Sequence, residues 1–399
     1  MSSQTFIAGM GIVSAIGNGL LANLQSLSNE KAGIGKMKFL QSVHSEELPV
    51  GEVKFSNKEL ATISGLSSKL PRTALLSSIA AYEALLDAGW DKRFSSRTGF
   101  ISANTVGGMD KTENFFKLFS KNPVAGRLTD VVYHECGAVT ELVADHLGIR
   151  HFVSTVSTAC SSSANAIFTG ARMIGAGLID YALVGGADAL TRFTLNGFNT
   201  LMILDKELCK PFDENRRGLN LGEGAAYLLL ASENGLKQLG RKPYALVSGY
   251  ANANDAFHQT ASSPEGTGSF LAMKNALINA GMQTGEIDYI NLHGTGTQNN
   301  DIAEGTAIQL LFGQSIPKMS STKAYTGHTL GASGAVEAVY SILAIQQGVI
   351  FPNLRLQTTM KEFPFKPVTS FLMNQKIKYV MSNSFGFGGN CTSLIFSAA

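Results

Sequence analysis

The sequence predicts an α/β protein in which one pattern of strand and helix occurs twice, on three observations. Short apolar strands alternate with alanine-rich helical stretches. A strand ending in small residues opens the chain at Thr5-Phe6-Ile7-Ala8-Gly9-Met10-Gly11, and a similar one recurs at Ala245-Leu246-Val247-Ser248-Gly249-Tyr250. No low-complexity tract or Pro/Ser-rich linker divides the 399 residues, which argues against separate beads on a string.

The elements follow in order. Residues 6–24 are apolar, but glycines interrupt them and no basic segment precedes them, so they read as a buried strand and turn rather than a signal peptide. Leu75 to Ala88 is the first alanine-rich helix. From Cys160 to about Gly175, Ala164, Ile167, Phe168, Ala171 and Ile174 recur at three and four residues, which predicts a helix with one apolar face and places Cys160 at or just before its first turn. Tyr181 to Gly186 is a buried-type strand. After a boundary near residue 245, dividing 1–245 from 246–399, the pattern resumes. Gly268 to Ala280 is helical, Tyr289 to His293 is a strand, and Ala332 to about Gln346 is a helix entered through a glycine-flanked turn.

Composition narrows the function. With 44% hydrophobic and 16% charged residues the chain supports a well-packed core. Its 32 basic and 30 acidic side chains, net +2, create no global field for nucleic acid or a membrane surface. No apolar stretch is long enough to span a bilayer. Cys136, Cys160, Cys209 and Cys391 show no CxxC or Cys/His metal spacing, so a zinc site is not expected and reduced thiols in a cytoplasmic protein are.

Four stretches carry chemistry: Ser157-Thr158-Ala159-Cys160-Ser161-Ser162-Ser163, His293-Gly294-Thr295-Gly296-Thr297, Lys323-Ala324-Tyr325-Thr326-Gly327-His328, and Ser384-Phe385-Gly386-Phe387-Gly388-Gly389. A thiol at a helix start meets unpaired backbone N–H groups and the positive end of the dipole, which favour a thiolate and can hold an oxyanion. Two neutral imidazoles aimed at one thioester oxygen would stabilise an enolate. The last stretch places aromatics among glycines, a hinge on which Phe387 can move; it lacks the lysine and spelling of a phosphate-binding loop, so nucleotide binding is disfavoured. Asp301 and Glu304, three apart, are neighbours if a helix starts beyond His293.

Together, and in this order, these stretches resemble the elongating β-ketoacyl-acyl-carrier-protein synthases, with Gly9-Met10-Gly11-Ile12-Val13-Ser14, Pro211-Phe212-Asp213 and Gly222-Glu223-Gly224 extending the match over almost the whole chain. The resemblance implies a thiolase-like fold, two duplicated halves in a five-layer αβαβα sandwich, paired as a homodimer or with a related subunit. It implies catalysis by Cys160, His293, His328 and Lys323, and an oxyanion hole from the Cys160 and Phe387 amides behind a gate of Phe385 and Phe387. Glu304 is expected to pair with Lys323, and Asp301 to be structural. Thr295 and Thr297 would contact the 4'-phosphopantetheine arm of an acyl carrier protein, with no further cofactor. Val106 and Phe198 would line the acyl pocket, which the segment from Met109 to Leu128, with Phe115, Phe116 and Phe119, would reshape. Lys69 and Arg72 match carrier-docking positions, whereas Met202 replaces an expected basic one. A monovalent cation would sit at Asn291, Glu304, Glu337 and Asn383. Asn390-Cys391 stands where Thr-Asn is common, which puts in question the bond that the resemblance implies between the gate and the loop around Asp255 and His258.

The rivals are a thiolase, with Cys391 as second cysteine, and a non-catalytic chain-length partner subunit. The two histidines in the synthase spelling oppose the first, and intact Cys160, His293 and His328 oppose the second. A priming synthase would carry asparagine in place of the second histidine. The spelling of the His293 loop, Met202 and the 109–128 segment tilt the reading toward a specialised polyene or polyketide pathway rather than ordinary fatty acid elongation.

Overall fold

The computed structural model describes residues 4–399. The strands of the first part are β1 (Phe6–Ser14), β2 (Gly17–Asn18), β3 (Thr98–Ala103), β4 (Phe152–Val156), β5 (Tyr181–Asp188) and β6 (Gly224–Ala231). Those of the second are β7 (Ala245–Asn254), β8 (Tyr289–Asn291), β9 (Lys318–Ser320), β10 (Tyr379–Phe385) and β11 (Asn390–Ser397). The helices are α1 (Leu20–Ser28), α2 (Asn57–Ser64), α3 (Arg72–Asp87), α4 (Met109–Phe119), α5 (Cys136–Leu147) and α6 (Ser162–Gly175). They continue with α7 (Arg192–Thr200), α8 (Glu233–Leu239), α9 (Thr267–Ala280), α10 (Gln298–Phe312), α11 (Lys323–Thr326) and α12 (Ser333–Gln347).

The strand order is β4-β3-β5-β6-β1 in one half and β9-β8-β10-β11-β7 in the other. In each, the first three strands are parallel and the last two antiparallel, so one topology occurs twice. The halves join edge to edge where Phe6 and Ile7 of β1 pair with Leu246 and Ala245 of β7.

Three apolar clusters define the layers. The central one packs α6 and α12 between the two sheets, with Ile167 and Ile174 against Ile101, Val184 and Leu228 on one side and Val339 and Leu343 near Val380 and Phe396 on the other. Helices α3 and α5 cover the outer face of the first sheet, and α9 and α10 that of the second. This is the five-layer αβαβα sandwich of a thiolase-like fold. Every residue of α12 from Ser333 to Ile345 is buried, which explains a sequence apolar nearly all round.

The glycine spelling shared by β1 and β7 has a steric cause. A Cβ at Gly11 would lie 2.1 Å from the Ala80 carbonyl oxygen of α3, and one at Gly249 2.6 Å from the Ala276 carbonyl of α9. Each outer helix therefore rests directly on strand backbone, which its alanines and the strand's glycines permit.

Candidate active site

Cys160 lies between the end of β4 and α6. Ala159 adopts a left-handed conformation (φ 53°), a strained turn for a non-glycine residue, and Ser161 stands at the N-terminal boundary of α6 without a side-chain capping bond. The turn brings the thiol to the helix start as the apolar periodicity predicts. Its electrostatics differ from the expectation of a thiolate. The side chain is buried, and burial pushes the thiol up to about 11 against the Lys323 charge and the Phe387 N–H. Desolvation of the charged form outweighs the donors at this site, so the resting nucleophile is the thiol.

His293 follows β8 and His328 follows α11; their rings lie edge to face with centroids 5.4 Å apart. The Cys160 sulfur and one nitrogen of each ring all fall within 4.8 Å of one another, a spacing compatible with a metal. The ring partners direct the set elsewhere. Lys323 Nζ donates to His293 Nδ1 at 3.2 Å, and the Leu330 N–H donates to His328 Nδ1 at 3.0 Å. Each Nδ1 is thus an acceptor, and in each neutral ring the proton sits on Nε2, as needed for donating to an oxygen rather than ligating a cation. Burial and the Lys323 charge hold both imidazoles well below 6.5.

The sign of the pH dependence follows. Both rings are neutral near pH 7, and protonation would remove them as donors only well below pH 6.5. A reaction that uses them as neutral donors is expected to hold its rate from about pH 7.5 to about 6.5, measured as initial rate against pH. A limb near pH 7 would instead report Glu304 or Glu337, whose carboxyls burial pushes up to about 7.

Lys323 is buried and pairs with Glu337 of α12. The expected pairing with Glu304 is not formed. Glu304 points its two oxygens at the His293 and Gly294 backbone N–H groups, both at 2.8 Å, and receives Asn383 Nδ2 at 3.2 Å. It therefore shapes the histidine loop. Asp301 is buried and accepts from the Phe212 and Gly296 N–H groups, tying the same loop to its neighbour. Thr297 caps α10, and its hydroxyl lies 2.9 Å from that of Thr295.

Two cavities meet at Cys160. One, of about 250 Å³, is lined by His293, His328, Thr295, Thr297 and Phe387, with Met202 at its rim, 87% exposed. The other, of about 360 Å³, is apolar and lined by Val106, Met109, Phe193, Phe198 and Leu330. Phe387 stands between them, stacked on Phe198 with centroids 5.6 Å apart. Phe385 packs 6.0 Å from His293. Of the 109–128 segment Met109 alone lines the apolar cavity; Phe115 and Phe119 stack on each other outside it. The backbone N–H groups of Phe387 and of Cys160 both act to lower the pKa of the thiol, against its burial.

The bond between the gate and the loop around Asp255, which Asn390-Cys391 puts in question, is formed. Backbone groups make the link: the Asp255 N–H donates to the Gly389 carbonyl and the Gly388 N–H to that of Gln259, each at 2.8 Å. Such bonds do not depend on the side chain at 390. Instead Asn390 Oδ1 accepts from Ser161, Asn165 and Asn252, anchoring the gate to the first turn of α6. Cys391 is buried beside Ser269 and does not line the cavity at Cys160, which removes the second thiol a thiolase needs.

Lys69 is exposed, as carrier docking requires, but Arg72 is not available. Its guanidinium is buried, forks onto Glu223 at 2.6–3.1 Å and donates to Asn57 and the Val53 carbonyl. Arg72→Ala would leave Glu223 buried without its cation. It is expected to destabilise the protein by ~3–5 kcal/mol in chemical denaturation, whereas a docking residue would cost nothing measurable.

Both polar atoms of Asn291, Glu337 Oε2 and Ser384 Oγ are buried without a hydrogen-bond partner. The anchoring of Asn390 to α6 and β7 was not legible in the sequence, because Ser161, Asn165 and Asn252 lie more than a hundred positions away.

The N-terminal domain of the beta-ketoacyl synthase family matches residues 3–234, and its C-terminal domain matches 244–357. A 3-oxoacyl-[acyl-carrier-protein] synthase 2 from Staphylococcus aureus is 32% identical over 99% of this chain and 98% of its own. The ishigamide ketosynthase/chain length factor structure superposes with a TM-score of 0.94 over all of both chains, at 28% identity. A ketosynthase from Xenorhabdus doucetiae, ApeO, solved in complex with its chain length factor, gives 0.85 at 32% identity over 100% of this chain and 98% of that one.

Proposed function

Because this chain belongs to the β-ketoacyl synthase family and is an acyltransferase that condenses acyl thioesters with malonyl-acyl carrier protein, we propose the following division of labour at its site. The observation that carries it is the convergence of one thiol and two Nε2–H donors. Cys160 attacks an acyl thioester; the Cys160 and Phe387 N–H groups hold the oxyanion, and the carrier thiol leaves with the proton. The acyl chain lies in the apolar cavity past Val106 and Phe198, reached when Phe387 swings off Phe198. Malonyl carrier protein then enters along Thr295 and Thr297, its 4'-phosphopantetheine arm in the polar cavity. Loss of carbon dioxide leaves an enolate whose oxygen accepts hydrogen bonds from His293 and His328 Nε2–H, and its carbon attacks the acyl-cysteine. The bond from the Cys160 sulfur to the acyl carbon breaks as the carbon–carbon bond forms, and the released thiolate takes a proton from water to restore the thiol.

Lys323, held by Glu337, fixes the His293 tautomer. In this reading residues 1–245 bring the nucleophile and 246–399 the imidazoles, the lysine and the gate. A monovalent cation would be held by Asn291, Glu304, Glu337 and Asn383, where it would balance buried carboxylate charge; the unpartnered oxygens of Asn291 and Glu337 support this. The carrier docks by Lys69 near a rim where Met202 is apolar. Among the described residues no helix is long and apolar enough to cross a membrane; the proposed location is cytoplasmic.

The proposed partner is a related subunit of chain-length-factor type, and the proposed product a specialised polyene or polyketide chain. Likeness to two ketosynthases solved with such factors supports this. So do the free edge of β4 at the end of its sheet and the exposed Phe116, Phe119, Leu128 and Phe193. The test follows intact mass as the chain, alone and with such a subunit, meets acyl carrier proteins of differing chain length and then malonyl carrier protein. Acyl mass on Cys160 that discharges into β-ketoacyl product only with the subunit is expected. Efficient turnover of saturated chains by the chain alone would place it in ordinary fatty acid elongation.

A further inference from the structure

We propose that Ser333 is a positioning residue for the decarboxylation half-reaction, its hydroxyl donating to His328 Nδ1 so that the ring presents Nε2–H to the thioester oxygen. This rests on the role given above to His328. Ser333 Oγ lies 3.0 Å from His328 Nδ1, and the residue is buried. The direction of the bond is settled by the backbone: the Leu330 N–H already donates to the same nitrogen, so Nδ1 carries no hydrogen and Ser333 must be the donor. Thr329 Oγ1, 3.2 Å from Ser333 Oγ, completes the chain by donating to the serine oxygen that its own hydrogen leaves free.

Two further observations separate this from an ordinary helix-start serine. Ser333 is the first residue of α12, but the helix has no side-chain cap, so the hydroxyl is not consumed by the helix end. Leu330 is held at φ 53°, a left-handed conformation that is costly for a leucine, and this aims its N–H back at the ring two residues earlier. Strain and hydroxyl thus converge on one nitrogen. Two donors at Nδ1 fix the tautomer and draw electron density from the ring, which makes Nε2–H a stronger donor to a developing enolate. His293 gets the equivalent service from an ammonium, Lys323; His328 gets it from neutral groups.

The test compares Ser333→Ala with wild type and His328→Ala in two partial reactions, Cys160 acylation by an acyl carrier protein and decarboxylation of malonyl carrier protein. Expected for Ser333→Ala is a fall of about fivefold to tenfold in decarboxylation kcat with KM unchanged, and acylation at the wild-type rate. The Leu330 N–H still holds the tautomer, so activity is reduced rather than lost. Intact acylation shows that the variant is folded with its nucleophile in place. Unchanged decarboxylation in Ser333→Ala, or equal losses in both reactions, would overturn the assignment while leaving His328 in its role. Intact decarboxylation in His328→Ala would overturn the role of His328 itself, and that of Ser333 with it.

Discussion

Replacing Cys160 with alanine is expected to abolish acyl transfer and condensation, by at least about a thousandfold, while malonyl carrier protein is still decarboxylated. No other sulfur can substitute. Cys391 is sealed in the core beside Ser269, with its thiol pushed up to about 12, and Cys136 and Cys209 line neither cavity at the site. The enolate donors do not depend on the thiol: His293 is oriented by Lys323, and His328 by Leu330 and Ser333. The variant should show no acyl mass from any carrier, yet convert malonyl to acetyl carrier protein. Condensation surviving in this variant would remove Cys160 from the mechanism.

His293→Ala should do the converse. It deletes one of two donors to the enolate oxygen, a change that typically costs ~10²–10³ in rate in a water-excluded site, and decarboxylation should fall by that factor. Acylation should survive, because the thiol, the Phe387 N–H and the Cys160 N–H remain, and Lys323 keeps its carboxylate partner Glu337. Single-turnover measurement of both half-reactions separates the effects. Decarboxylation within tenfold of wild type would assign the enolate oxygen to His328 and backbone groups alone.

The contrast between residues legible in the sequence and those that were not has a common cause. Cys160, His293, His328 and Phe387 stand in short glycine-, serine- or threonine-rich stretches at element ends, so their local spelling carries their chemistry. The partner of Lys323 has no such signature. Glu304 and Glu337 lie 19 and 14 residues away, and only the passage of α12 through the middle of the sandwich selects Glu337. Arg72 was expected to dock the carrier because the family resemblance places a basic docking residue there; Glu223, 151 positions away, draws it inside. The gate's link to the loop around Asp255 was not legible in its spelling because backbone groups make it.

The sequence by itself determined the α/β class, the repeated strand-and-helix pattern, and which thiol, imidazoles and aromatic gate the proposed reaction uses. Those properties depend on periodicity and on residues within a turn of one another. Tertiary structure decided which carboxylate neutralises Lys323, that Cys160 rests as a thiol, and that both imidazoles are Nε2–H donors held well below 6.5. Each of these depends on how far water is excluded and on which distant group arrives at hydrogen-bond distance, and both are set only when the two halves close around α6 and α12.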